Sequence, residues 1–432
     1  MKDTKYILVD TTIYDYALIE EKLTKLASEG WHLQKTGPLG WKLRRGEPKQ
    51  VRYAVTYAPS ASAFNSRPTE AEEDLADLCA QAGWVRVANQ AQVHIYRNED
   101  PNATPLETDE AQRLRNIRRT MRKHFFPTEA LMVGVFLMQF FMHFHTLTQY
   151  PGRTLSSLLM VSTLVMCLFV AVIHAALALD GFLWLHRAQK AVDGGGPIPV
   201  NRFYRRFRWV IWAFLGLYLL CLLWSAGLNM VAAILGISIL SLAIIVGGIS
   251  LFKSLNAPRW VNMLVPAGLC ALVMMGMLTL FVISMDRSSR NEELPPAQSL
   301  PVTLTQLTGE TDTERFILEE SSSPLSSYGR YWDTGADGTR LSYTIVDVKC
   351  PLFYDILQKE QEELFLGAVN HLADREAAEY AVLFNADYVR HSYHLTYDRW
   401  LICWDSRIVN LRASWELTRE QIAALAEILK PQ

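Results

Sequence analysis

Few residues in this 432-residue chain are spaced for chemistry. His391-Ser392-Tyr393-His394 is an HxxH pair, but zinc hydrolysis needs a third ligand and a general base, and no HExxH glutamate accompanies it. Asp333-Thr334-Gly335 has the form of an aspartic-protease turn. With no second copy to complete a carboxylate pair, Gly335, Asp337 and Gly338 read instead as a hairpin turn before a strand at Arg340–Lys349. His143 and His145, two apart, fall on different faces of an apolar helix and read as interfacial groups. His174 lies deeper, where a neutral imidazole can hydrogen-bond a neighbour. Six cysteines are present and none forms a CxxC pair, so zinc and thioredoxin-type chemistry lack support. Cys350 and Cys403 would share one oxidising compartment, as a disulfide or as two separate thiols. No Walker motif occurs. The expectation is a protein that is not an enzyme and holds neither metal nor cofactor.

The elements around these residues belong to a membrane protein. Half of the chain is hydrophobic, and the apolar residues gather in five runs: Pro127–Leu147, Leu155–Leu185, Trp209–Ser225, Asn229–Phe252 and Val261–Met285. Each meets or nearly meets the ~20 residues that span about 30 Å of hydrocarbon. A five-helix transmembrane bundle is therefore expected over 127–285. The second run is too long for one perpendicular helix, so Ala175–His186, with Asp180 and Trp184, should protrude. Only Ala226-Gly227-Leu228 separates the third and fourth runs, where a tight helical hairpin is expected. Ala232, Gly236, Ala243 and Gly247 give small-xxx-small spacings for close helix packing.

Lys and Arg in the short loops set direction. Arg113, Arg115, Arg118, Arg119, Arg122 and Lys123 precede the first run. Arg187, Lys190, Arg202, Arg205, Arg206 and Arg208 follow the second, and Lys253 and Arg259 follow the fourth. The alternate loops hold only Arg153, with Arg287 and Arg290 a small contrary signal. The N-terminal domain is thus expected in the cytoplasm and the C-terminal domain outside, in a multi-pass protein of the cell membrane. Residues Met1–Asp10 lack the apolar core of a signal peptide. Arg113, Arg115, Arg118, Arg119, Arg122, Lys123, Arg202, Arg205, Arg206 and Arg208 are expected to meet anionic lipid headgroups. A net charge of -2 argues against a nucleic-acid partner.

Residues 1–100 read as a small α+β sandwich, ferredoxin-like or related. A helix at helical spacing (Tyr16, Ile19, Leu23, Leu26) stops at Gly30-Trp31, and Val51, Tyr53, Val55 and Tyr57 alternate as a half-buried strand. The pattern repeats: Thr69 and Glu72 make a capping box, an apolar stripe runs through Ala71, Leu75, Leu78, Cys79 and Ala82, and Gly83-Trp84 ends the helix. A basic juxtamembrane segment follows at 101–126. After a linker at 286–306, residues 307–432 read as a second α+β domain. Its strands are expected at Arg315–Glu320, Thr339–Lys349, Trp400–Trp404 and Ile408–Leu411. A helix is expected at Tyr354–Ala373, and another opens with the Thr418/Gln421 capping box.

The run Glu20-Glu21-Lys22-Leu23, then Leu26-Ala27-Ser28-Glu29-Gly30-Trp31-His32-Leu33, Gly46-Glu47-Pro48-Lys49, Arg52-Tyr53 and Ala82-Gly83-Trp84 resembles a bacterial family catalogued as domain of unknown function 2812. The resemblance covers the first quarter of the chain and carries turn and core signatures, not catalytic residues. It implies membrane helices after this domain and a regulatory setting. Two functions are expected. One is a regulatory or sensory membrane protein with a cytoplasmic regulatory partner. The other is an accessory subunit of a membrane transport or export complex.

Overall fold

The computed structural model describes residues 3–7, 12, 14–37, 40–59, 61–62, 64–65, 67–90, 92–201, 203–265, 268–269, 272, 300–367, 375–376, 378–394 and 397–431. They fall into two compact units. One holds Met1–Leu137, Cys167–Leu219 and Leu228–Leu280; the other holds Met138–Met166, Leu220–Gly227 and Phe281–Gln432.

The first unit opens with β1 (Thr4–Ile7), α1 (Tyr16–Ser28), β2 (Trp31–Gly37) and β3 (Gly40–Arg45). Then come β4 (Arg52–Tyr57), α2 (Glu70–Gln81), β5 (Val85–Gln90) and β6 (Val93–Asn98). One βαββ unit is thus built twice, as antiparallel sheets of order β1-β3-β2 and β4-β6-β5. From the helix onward the copies match at a constant offset of 53 residues (Gly30 to Gly83). The helices end at Ser28 and Gln81, and Gly30 and Gly83 follow at φ of 84° and 79°, the left-handed conformation that favours glycine. A register shift falls between Leu33 and Lys35 in one copy and between Arg86 and Ala88 in the other. The strands of the expected α+β sandwich, ferredoxin-like or related, lie in two short sheets, because each hairpin pairs with the leading strand of its own copy. Strand β4 is also buried on both faces. Tyr53, Val55 and Tyr57 join the core under α1, whereas Ala54 meets Cys79, Trp84 and Tyr96 beside α2. Leu78, expected on the apolar stripe, is exposed.

The basic segment 101–126 is no separate piece. Leu106 packs beside Trp84, and α3 (Glu110–Thr120) puts Leu114 and Ile117 into the main core. A π-helical turn, Met121–Phe125, joins α3 to α4 (Phe126–Gln149). As expected, the end of α6 (Leu158–Asp193) runs on past its apolar stretch, and its last turns complete the same core with Trp184, Leu185 and Ala188. The helices meet closely at Gly181, where a Cβ would stand 2.8 Å from the Phe125 ring. Trp184 stacks on Tyr14 at 5.0 Å and donates to the Pro199 carbonyl at 2.8 Å. Asp180 accepts from the Tyr14 hydroxyl at 2.9 Å and from the Asn201 amide.

Among the described residues, three helices are long and apolar enough to cross a membrane: Glu110–Gln149, Leu158–Asp193 and Phe207–Ser225. Their apolar side chains, such as Leu131, Phe141, Trp212 and Trp224, are exposed, an arrangement suited to hydrocarbon and costly in water. The expected break at Ala226-Gly227-Leu228 does not interrupt the helical backbone. α7 covers Phe203–Ser254 without a gap, since the triplet has no proline and a helical glycine costs only about 1 kcal/mol. Yet α7 cannot be straight. Asn201, before its start, bonds Asp180, and Asn256, just beyond its end, bonds Arg67 at 2.9 Å. A straight 52-residue helix would separate those points by about 78 Å, too far for a domain whose radius of gyration is about 13 Å. Side chains at 226–234 lie outside the described residues, as does most of the fifth run.

In the second unit, α5 (Pro151–Ser156) packs on the C-terminal domain, built from α8 (Leu304–Thr308), β7 (Thr313–Ser322), β8 (Ser326–Gly335), β9 (Arg340–Val348), α9 (Tyr354–Gly367), β10 (Arg375–Glu376), α10 (Ala378–Phe384), β11 (Tyr388–His394), β12 (Tyr397–Trp404), β13 (Arg407–Ala413) and α11 (Arg419–Leu429). Seven strands form one sheet, in the order β10-β11-β12-β13-β9-β8-β7. α8, α10 and α11 cover one face; α9 and Leu155 of α5 cover part of the other. Of the expected linker 286–306, residues 286–299 lie outside the described residues, and Leu300, Val302 and Leu304 are core.

Replacing Trp184 with alanine should destabilise the first unit by about 3–5 kcal/mol, seen as a lower melting temperature by circular dichroism in detergent. Burial raises the Glu20 carboxyl to about 7, against a donated hydrogen bond from the Val55 amide. A carboxyl raised on folding stabilises below its ordinary value near 4.5 and loses that contribution as pH climbs to about 7. The melting temperature should therefore fall more between pH 5 and pH 8 in the native protein than in Glu20→Gln.

Candidate functional site

Alternation along the C-terminal strands decides what its half-covered sheet face presents. Arg330, Thr344 and Asn410 form one cross-strand row, and Trp332, Ser342, Arg412 and Arg399 form the next. α9 covers the upper end of this face with Leu357 and Phe365. The lower end stays open, walled by Tyr150 and Arg153 from the segment after α4 and by Glu360 and Gln361 of α9. The result is a cavity of about 700 Å³, within the range of small-ligand sites.

The charge of this cavity is unbalanced. Five arginines line it (153, 330, 340, 399 and 412) against Glu360 and Glu363. Arg153 is taken by Glu319 at 2.8 Å. Glu360 accepts from the Gly152 amide at 2.9 Å, and burial lifts its carboxyl above the usual range. Among the described residues no carboxylate lies within ion-pair distance of Arg330, Arg340, Arg399 or Arg412. Arg399 and Arg412 are direct partners across β12 and β13, and like charges so placed destabilise a sheet by several tenths of a kcal/mol. Burial, then the Arg412 charge, lowers the Arg399 guanidinium from its ordinary value. Arg412 is held over the Tyr397 ring at 3.5 Å. Gln361 is 1% exposed, and its Oε1 has no hydrogen-bond partner, a deficit of about 1–3 kcal/mol. Converging guanidinium groups without counter-ions suit an oxyanion.

The expected headgroup residues divide. Arg113 is folded into the domain, paired with Glu107 at 3.0 Å and Glu110 at 2.9 Å and stacked over Tyr16. Arg115, Arg118, Arg119, Arg122 and Lys123 line a shallow basic cavity of about 460 Å³. Arg202 and the side chains of Arg205 and Arg206 lie outside the described residues, and Arg208 stacks over Trp209. His174 is bound at 2.7 Å to Glu129 of α4, a partner that sequence reasoning missed. His391 bonds Asp398 at 2.6 Å and stacks on Trp400. Three residues apart on β11, His391 and His394 point to opposite faces. Asp333 is a buried strand residue that accepts from the Leu304 amide, and Gly335–Thr339 closes the expected hairpin.

Cys350 and Cys403 are separate thiols. Cys403 is sealed between the sheet and α9, and burial pushes its thiol up to about 12, whereas Cys350 is half-buried before Pro351. Brief treatment of the native protein with iodoacetamide at pH 8 should modify Cys350 and spare Cys403, read by peptide mass spectrometry.

Nothing among curated proteins or solved structures matches the chain. Residues 15–128 match the family described as Protein of unknown function (DUF2812), a stretch that runs past the strands into α3 and the first turn of α4. From α1 through the second strand set to the docked α3, the N-terminal region carries that family's domain.

Proposed function

We propose that this chain is a multi-pass membrane protein of the regulatory or sensory kind. Its C-terminal domain, facing outward, binds an anionic ligand, and its N-terminal domain faces the cytoplasm, where it meets a regulatory partner. The observation that carries this reading is the arginine-lined cavity in a domain tethered to apolar helices. The Lys and Arg distribution supports the orientation. The curvature that α7 requires supports a chain returning toward the N-terminal domain, and so five spans rather than three. Arg115, Arg118, Arg119, Arg122 and Lys123 then lie where anionic headgroups can neutralise them.

Cysteines introduced at Tyr6 and Leu352, both strongly exposed, in a variant free of the native thiols, test the orientation. In intact cells a membrane-impermeant maleimide should label position 352 and reach position 6 only after lysis; the reverse pattern overturns the orientation. Native mass spectrometry in mild detergent tests the role. A regulatory protein is expected without stoichiometric transporter subunits, and their presence would favour an accessory subunit of a transport complex.

A further inference from the structure

We infer that the C-terminal cavity takes a phosphorylated or carboxylated polyol, a molecule joining one oxyanion to a hydroxylated body. The inference rests on the binding role proposed above and names the ligand class. Three features select it. The cross-strand pairing puts Arg399 and Arg412 in one row of the sheet face, close enough for the Arg412 charge to act on Arg399, and phosphate and carboxylate groups accept bidentate bonds from arginine. An oxyanion between them turns a mutual repulsion into two attractions.

Gln361 asks for something else. Among the described residues its Oε1 is a buried acceptor without a donor, and a fully ionised anion such as sulfate brings none. A ligand hydroxyl supplies that donor. Trp332, in the same cross-strand row as Arg412 and 36% exposed, offers a flat apolar surface on which the C–H face of a ring or polyol chain can lie. An anion, a hydroxyl donor and an apolar face in one molecule describe a sugar phosphate, a sugar acid or a phosphoglycerol group.

That chemistry has two sources. The cavity wall includes Gln149, Tyr150 and Arg153, directly after an apolar helix, so a lipid headgroup of the phosphoglycerol type can present the same groups as a free sugar phosphate. Calorimetry on the full-length protein in neutral detergent, with glucose 6-phosphate, glucuronate, inorganic phosphate and glucose as probes, covers the free source. Thermal shift in nanodiscs of phosphatidylglycerol against phosphatidylcholine covers the headgroup.

The anionic polyols, or phosphatidylglycerol, should bind at least tenfold more tightly than the neutral counterpart, and added salt should weaken them. Arg399→Gln should lower that affinity at least tenfold while keeping the ligand-free melting temperature, whereas Arg419→Gln, on an exposed helix start, should change neither. Gln361→Leu should weaken the anionic polyols. Equal binding of glucose, equal binding by Arg399→Gln, or no binding of any probe from either source overturns the inference. Binding as described, with no change in hydrogen exchange in the N-terminal domain, would keep the ligand class and remove the sensory role.

Discussion

A carboxylate cannot sit in a protein interior unpaired, and Asp180 meets that condition with two neutral donors, Tyr14 from the N-terminal strands and Asn201 from the segment leading into α7. Among the described residues, Arg187 at 3.7 Å brings a positive charge near it. Two stretches of chain, one before α1 and one before α7, are thereby fixed to one point on α6. The Trp184–Tyr14 stack one turn later seals that point from water. The burial also raises the Tyr14 hydroxyl well above its ordinary value, so the tyrosine remains a donor at any physiological pH. The apolar helices and the duplicated domain consequently behave as one folding unit.

Much of this was legible in the residues. Gly30-Trp31 and Gly83-Trp84 announced a repeat, because few residues tolerate the left-handed turn that ends each helix. The capping boxes at Thr69/Glu72 and Thr418/Gln421 marked two helix starts, and the overlong second run foretold a helix that continues past its apolar stretch. Other features depend on pairing across long sequence distances. Nothing in Val51 to Tyr57 reveals that its two faces serve different cores, and no local signal tells Arg113 apart from the basic residues that follow it. The cavity is the extreme case. Tyr397-x-Arg399 and Asn410-x-Arg412 each look like a polar strand edge, and only the strand order brings Arg330, Arg399 and Arg412 to one face. Strand β8 does hold Tyr328, Tyr331 and Trp332, but Ser326, Ser327, Gly329 and Gly335 dilute the branched and aromatic run that marks a strand.

The two domains solve their sheet problems differently. In the C-terminal domain one seven-stranded sheet is covered on one face and half covered on the other, and the uncovered half becomes the site. In the N-terminal domain two small sheets share helices for cover, and no comparable opening is left on β4, whose faces are both occupied.

The 53-residue offset between the copies has a consequence of its own. A protein that builds such a unit once must associate with itself to bury both layers, and every substitution then appears twice, on both sides of a symmetry axis. Here the two copies lie on one chain. Position 35 is lysine while its counterpart 88 is alanine, position 42 is lysine while 95 is isoleucine, and Trp41 answers to His94. Fusion has freed each copy to change alone, so one sheet keeps a basic outer face while the other turns apolar and sinks into the core.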